Sequence, residues 1–322
     1  MHGFRLRGWP TPKDRWHILA RQYRLIDPAV PCLRACNTRQ SLSHELVIAT
    51  ALVAAARHSR PPAELSMPVI AIAQIPMHWE MADNVVAIKQ ALRIARDDGA
   101  AICAFAELAV TGFHRRIAEW ARPERSGPVL DDLRAEAARL GIAAVLGAPT
   151  YADDGRRFNS HLFIDRLGAL VGSISKSGLT APEATFFAPG IARPALQLAG
   201  LRCSAVICRE IEDAAVVVPQ LRDGGVDLIF WPGQMRPDPD KPVQDPPEHV
   251  VQAQALAREL SAHVVQTNWP NALNRPEESA RTGHSACIAP DGELLFRLPM
   301  QGFGVGVFTL GDRHYRWHPV PG

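Results

Sequence analysis

The chain has 322 residues, 47% of them hydrophobic and 21% charged, with a formal net charge of +2. That composition describes a folded globular protein, large enough for one big α/β domain or two ordinary ones, and excludes a disordered or fibrous chain. Six cysteines (Cys32, Cys36, Cys103, Cys203, Cys208 and Cys287) without CxxC spacing exclude a dense disulfide scaffold and suit a reducing, cytoplasmic setting.

Residues 1–66 carry 10 Lys/Arg against 4 Asp/Glu, leaving 25 against 29 for the remainder. The basic segment has neither finger spacing nor a basic stripe interleaved with aromatics, so no nucleic-acid partner is expected. Its apolar run LVIATALVAAA, residues 46–56, is too short to span a bilayer. RHSRPPAELS reads as a linker, and Met67 then opens the strand PVIAIAQIP. Residues 1–66 are therefore expected to be an extension, poorly ordered or an artefact of start-site choice, with the folded domain over 67–322.

From there, apolar strand patterns are expected at 69–75, 101–106, 143–147, 159–164, 202–208, 228–231, 262–267, 285–289 and 305–309. Helical patterns fall at 84–97, 128–140, 212–222 and 248–259, with Gly141 and the pair Gly224 and Gly225 as stop signals. DDGRRFN and APDGELL predict hairpins where strands follow one another. This mixture of βα units and hairpins argues for stacked sheets covered by helices on their outer faces.

Three residues far apart in sequence stand in distinctive frames: Glu107 in FAELAVTG, Lys176 in SISKSGLT and Cys208 in CSAVICREIED. Thiol-based hydrolysis of an amide or nitrile needs a base to deprotonate the sulfur, the sulfur to attack and a cation to hold the oxyanion. A free thiol titrates near 8.5, so base and cation are both required at neutral pH. Cys208 ends an apolar strand and precedes an acid-rich helix start, a turn that exposes a nucleophile and points the next N–H, that of Arg209, toward the substrate oxygen. Cys103, Cys203 and Cys287 read as small buried hydrophobes. Glu107 lies between ICAFA and LAVTG, where an unpaired carboxylate is costly to bury. Lys176, in a turn, stands out only beside the other two.

The ordered set AIAQIPMHWEMADN, FAELAVTG, RRFNSHLFID, KSGLTAPEATFFAPG, VICREIED with DGGVDLIFWP, QTNW, TGHSACIAPDGELL and GVGVF resembles the nitrilase superfamily of carbon-nitrogen hydrolases, from about Val69 to Asp312. The resemblance implies an α/β fold of the α+β type, a four-layer α-β-β-α sandwich, paired as a homodimer or higher homo-oligomer. It implies Cys208 as nucleophile, Glu107 as general base and Lys176 as oxyanion partner, acting without cofactor or metal. The implied reaction is hydrolysis of a non-peptide C–N bond, foremost a small linear amide, with ammonia released from a thioester. The same three residues serve nitriles, N-carbamoyl compounds and acyl transfer to an amine.

Two departures from the family pattern speak for an alternative of a different class, a catalytically silent scaffold that binds proteins, while the intact set of Glu107, Lys176 and Cys208 argues against it. The lysine motif keeps only its Lys and Leu. A second glutamate expected before the Asn hairpin is replaced near Tyr151, with Asp153 and Asp154 the nearest acids. Glu183, the acid trailing the lysine motif, is either a contributor to the site or a surface loop residue. Arg209 either pairs with a substrate carboxylate or salt-bridges Glu210 or Glu212. Trp231, Gln234, Asn268 and Trp269 follow strands at loops that line such sites, and are expected around the substrate.

Overall fold

The computed structural model describes residues 67–236 and 244–322. The expected extension over 1–66 lies outside the described residues. The elements run β1 (Val69–Gln74), α1 (Met81–Asp97), β2 (Ile102–Ala104), α2 (Ile117–Trp120), α3 (Pro123–Leu140), β3 (Ala143–Tyr151), β4 (Arg157–Ile164) and β5 (Leu170–Ser175). They continue with α4 (Ala181–Ala184), β6 (Leu196–Leu198), β7 (Leu201–Ala205), a 3-10 turn (Cys208–Asp213), α5 (Ala214–Gly224), β8 (Leu228–Gly233), α6 (Glu248–Leu260) and β9 (His263–Asn268). After a second 3-10 turn (Pro276–Arg281) come β10 (Ala286–Ile288), β11 (Leu294–Arg297), β12 (Gly304–Thr309) and β13 (Arg316–Pro319).

These strands form two sheets, one of order β13-β12-β1-β2-β3-β4-β5 and one of order β11-β10-β9-β8-β7-β6. At the centre of each, three strands are parallel and joined by helices: β1, β2 and β3 in the first, β7, β8 and β9 in the second. The period-2 alternation of the strands assigns their two faces. Ile70, Ile72, Ile102, Val145, Phe163 and Ile174 of the first sheet meet Cys203, Ala205, Leu228, Phe230 and Val265 of the second in one apolar layer between the sheets. The alternate residues face helices: Ala71, Cys103 and Leu146 pack with Ile88 and Leu92 of α1 and Leu133 of α3. On the other side, Ile229 and Val264 pack with Val217 and Leu221 of α5 and Leu256 of α6. The described residues thus form a helix-sheet-sheet-helix sandwich.

Four strands lie outside the nine expected stretches: β5, β6, β11 and β13. They are the outermost strands of the two sheets. An edge strand needs less apolar sequence than a central one, so LVGSIS, LQL and RWHP carry little of the signal that marks their neighbours. α3 also starts earlier than expected, with Pro123 in its first turn and Pro128 inside it. Both expected hairpins are present, as β3–β4 and β10–β11.

Candidate active site

Lys176 directly follows β5, Glu107 follows β2 after Phe105 and Ala106, and Cys208 follows β7 after Val206 and Ile207, all beyond the carboxyl ends of strands, where open α/β sheets place their ligand sites. Glu107 is fully buried and Lys176 is 1% exposed. Lys176 Nζ lies 2.8 Å from Glu107 Oε1 and 2.6 Å from Glu183 Oε1. Asn159 Nδ2, on β4, donates to the same Glu107 oxygen at 2.7 Å and approaches Glu183 Oε1 at 3.5 Å. Glu107 Oε2 is buried with no hydrogen-bond partner among the described residues. One carboxylate oxygen is therefore committed to holding the cluster, and the other remains to accept a proton.

Two carboxylates share a single ammonium, and the electrostatics follow from that count. Burial raises the pKa of Glu107, and the charge of Glu183 raises it further, against the opposing pull of Lys176 and Asn159. Burial alone would drive Lys176 toward neutrality, but the charge of Glu107, that of Cys208 once its sulfur is ionised, and that of Glu183 hold its ammonium above the usual lysine range. The Cys208 thiol is pushed up to about 12, chiefly by burial and then by the Glu107 charge, while Lys176 and the backbone N–H of Gln234 pull it down. The resting sulfur is thus a neutral thiol that feels both a carboxylate and an ammonium.

Backbone geometry fixes these side chains. Leu108, after Glu107, has φ 52°, and Cys208 itself has φ 53°, both in the left-handed region that side chains rarely adopt. Gly147 on β3 makes room for the Glu107 loop, since a Cβ there would collide with Leu108 N and Ala106 O. Glu183 is held by Thr180 at the start of α4: its Oε2 accepts from Thr180 N at 2.8 Å and Thr180 Oγ1 at 2.9 Å, a capping box whose other oxygen reaches Lys176.

Among residues expected around the substrate, Arg209 is engaged by Glu212 at 2.8 Å and Asp213 at 3.4 Å. Trp231 and Trp269 are each 1% exposed, and their indole N–H groups donate to the backbone carbonyls of Cys208 and Glu107, both at 2.8 Å. The Asn268 side chain is spent on backbone groups of Met235 and Gly283. Gln234 bonds Asn271 O through its side chain. Tyr151 bonds Ser126 on α3, and the acid that stands beside the lysine is Glu183. Asn159 was named in sequence only as part of a motif. Its role as the amide between two carboxylates depends on a hairpin register that local pattern does not carry.

The family model for carbon-nitrogen hydrolases matches residues 69–311. The chain belongs to the carbon-nitrogen hydrolase family. Its fold is similar to that of an amidase from Nesterenkonia sp., at 23% identity and TM-score 0.66, covering 77% of this chain and 91% of that one. A double mutant of that amidase in complex with acrylamide matches at 22% identity and TM-score 0.65, covering 79% and 94%. A glutamine-dependent NAD+ synthetase from Acinetobacter baumannii matches at 20% identity and TM-score 0.65, covering 79% of this chain and 48% of that one. This carbon-nitrogen hydrolase has, among its described residues, no group of three or more His, Cys, Asp and Glu able to hold a metal ion, and no helix long and apolar enough to cross a membrane.

Proposed function

We propose that this carbon-nitrogen hydrolase cleaves small linear amides, releasing ammonia through a thioester on Cys208. The observation that carries the reading is the divided carboxylate of Glu107, with Oε1 held by Lys176 and Asn159, Oε2 without a hydrogen bond among the described residues, and its charge felt by the Cys208 thiol.

In the first half, Glu107 Oε2 takes the Cys208 proton as Sγ bonds to the carbonyl carbon. The oxyanion is received by Lys176 Nζ, two of whose three donors are already given to carboxylates, and by the backbone N–H of Arg209. Collapse of the adduct breaks the C–N bond, the proton on Glu107 passes to the departing nitrogen, and ammonia leaves. In the second half, Glu107 takes a proton from water, the hydroxide oxygen bonds to the thioester carbon, and the C–S bond breaks. The proton returns to sulfur and a carboxylic acid is released.

Arg209 is neutralised by Glu212 and Asp213, which supports an uncharged substrate over one with a carboxylate to pair. Homodimer formation belongs to the same proposal, supported by exposed Val216 on α5 and Val251 on α6, as does a cytoplasmic location. The test is ammonia release over a panel of short amides, nitriles and ureido acids, with Cys208→Ala as the blank. Release from short amides that disappears in the variant is expected, whereas release that survives it removes the mechanism. A panel turned over only as nitriles or ureido acids keeps the mechanism and replaces the substrate.

A further inference from the structure

Lys176 and Cys208 follow strands of different sheets, so no ladder of strand hydrogen bonds sets the distance between the ammonium and the sulfur. A single buried carboxylate joins the two segments instead. Glu210 is fully buried. Its Oε1 accepts from Ser177 N at 2.5 Å, Ser177 Oγ at 2.8 Å and Arg193 Nη2 at 2.8 Å, with Gly178 N at 3.4 Å. Its Oε2 accepts from Ile207 N at 2.7 Å. Ser177 directly follows Lys176, and Ile207 directly precedes Cys208.

Arg193 closes the arrangement. It is 4% exposed, and it also donates through Nη1 to the carbonyl of Ala205 at the end of β7 and through Nη2 toward Ser177 Oγ at 3.3 Å. The lysine segment crosses the cysteine turn closely enough that a Cβ on Gly178 would collide with Asp213 Oδ2 and come within 3.3 Å of Glu210 Cγ.

We infer that Glu210 is a positioning residue, one that fixes the left-handed Cys208 turn against the Lys176 segment so that sulfur and ammonium approach the substrate from set directions. This rests on the thioester chemistry proposed above. Every group around the carboxylate is a donor, so only an acceptor on both oxygens satisfies the site. An amide in its place turns an NH₂ toward an N–H, and leaves Arg193 as a buried cation without its counter-charge. Burial works to protonate Glu210, but the Arg193 charge and the surrounding donors outweigh it and keep the group ionised below the usual carboxylate range. The clamp therefore does not titrate where Glu107 does.

The experiment compares the full-length parent with Glu210→Gln and Ser177→Ala, the second removing one hydroxyl donor and leaving the carboxylate in place. Three quantities are read: kcat and KM for ammonia release, the rate at which iodoacetamide alkylates Cys208, followed by peptide mass spectrometry, and the thermal midpoint. In Glu210→Gln, kcat is expected to fall by about 10²-fold with KM within about threefold, the signature of reacting groups displaced by roughly 1 Å. Alkylation of Cys208 is expected to slow by about tenfold as the ammonium moves away from the sulfur.

A folded Glu210→Gln whose kcat and alkylation rate both match the parent overturns the inference, as does a loss confined to KM. Should Glu210→Gln not fold, Ser177→Ala decides: kcat is expected to drop by about threefold to tenfold for one lost bond to a charged group, and an unchanged kcat overturns the clamp. If the parent releases no ammonia from any amide, nitrile or ureido acid, the proposed chemistry fails on its own. The alkylation rates then still report on the clamp, a slower Glu210→Gln or Ser177→Ala upholding it and an unchanged or faster one overturning it.

Discussion

The indole N–H of Trp269 donates to the backbone carbonyl of Glu107 at 2.8 Å, across 162 positions of sequence. Trp231 makes the equivalent bond to the carbonyl of Cys208. Trp231 lies within β8 and Trp269 directly follows β9, both strands of the second sheet, and each anchors the main chain of a residue that the proposed chemistry uses. Trp269→Phe keeps most of the ring but leaves that buried carbonyl unpaired, at a cost of about 1–3 kcal/mol. We predict a lower thermal midpoint together with a reduced kcat at near-constant KM. A drop in stability with kcat untouched would reduce the bond to packing alone.

In the proposed chemistry, the carboxylates that share the Lys176 ammonium set the pH dependence of turnover. Glu107 works as a base only when ionised, and burial, then the Glu183 charge, raises its pKa above the ordinary 4.5. Activity is therefore predicted to fall on acidification at a pH above the usual glutamate range. Glu183→Gln removes the repelling charge, so the acid limb of kcat/KM should move to lower pH, even as the maximal rate falls because Lys176 loses a partner. An acid limb that moves upward in this variant contradicts the assignment of Glu107 as the group that titrates.

Gly147 offers a purely steric test. An added Cβ meets backbone atoms of Ala106 and Leu108, which cannot rotate away as a side chain does. Gly147→Ala is expected to destabilise the fold by about 1–3 kcal/mol, the usual range for overpacking. It should also lower kcat more than the neighbouring substitution Ala148→Gly, because the displaced loop carries Glu107. Parallel thermal melts and steady-state rates distinguish these outcomes.

His161 couples the core to pH. Its ring lies on β4, edge-on to Phe163 with centroids 6.3 Å apart, and neither ring nitrogen has a hydrogen-bond partner among the described residues. Burial lowers its pKa from 6.5 to about 3. Above 6.5 both folded and unfolded chains hold the neutral ring. As pH drops from there toward 3 the unfolded chain binds a proton that the folded chain refuses, so stability declines, by up to about 1.4 kcal/mol per pH unit for this one group. His249, lowered to about 4 by burial, adds a second contribution of the same sign. His161→Leu should flatten the dependence of the thermal midpoint on pH below 6.5, and an unaltered slope would rule His161 out as its source.

What the sequence made legible follows from how burial writes itself into residue order. β1, β2, β3, β7, β8 and β9 are covered on both faces and read as apolar runs, whereas the outermost strands β5, β6 and β13 carry Ser, Gly, Gln, Arg and His and do not. Glu107 and Cys208 were recognisable because each follows such a run, whereas Lys176, after the edge strand β5, stood out only beside those two. The placement of Glu183 against Lys176 depends on a single turn of helix capped by Thr180, and the proximity of Glu210 to Ser177 on two segments from different sheets. Neither relationship leaves a local pattern. The two tryptophans drew notice as aromatic residues at strand ends, but whether an indole faces a substrate or a carbonyl is decided by tertiary packing.

Because Glu107 and Lys176 come from one layer and Cys208 from the other, turnover by the proposed chemistry would gauge how the layers register. Slippage by the width of a methyl group would darken the enzyme while every helix and strand persisted. In a urea titration, ammonia release should vanish at or before the loss of far-ultraviolet dichroism, and a loosened intermediate retaining its secondary structure would be catalytically mute.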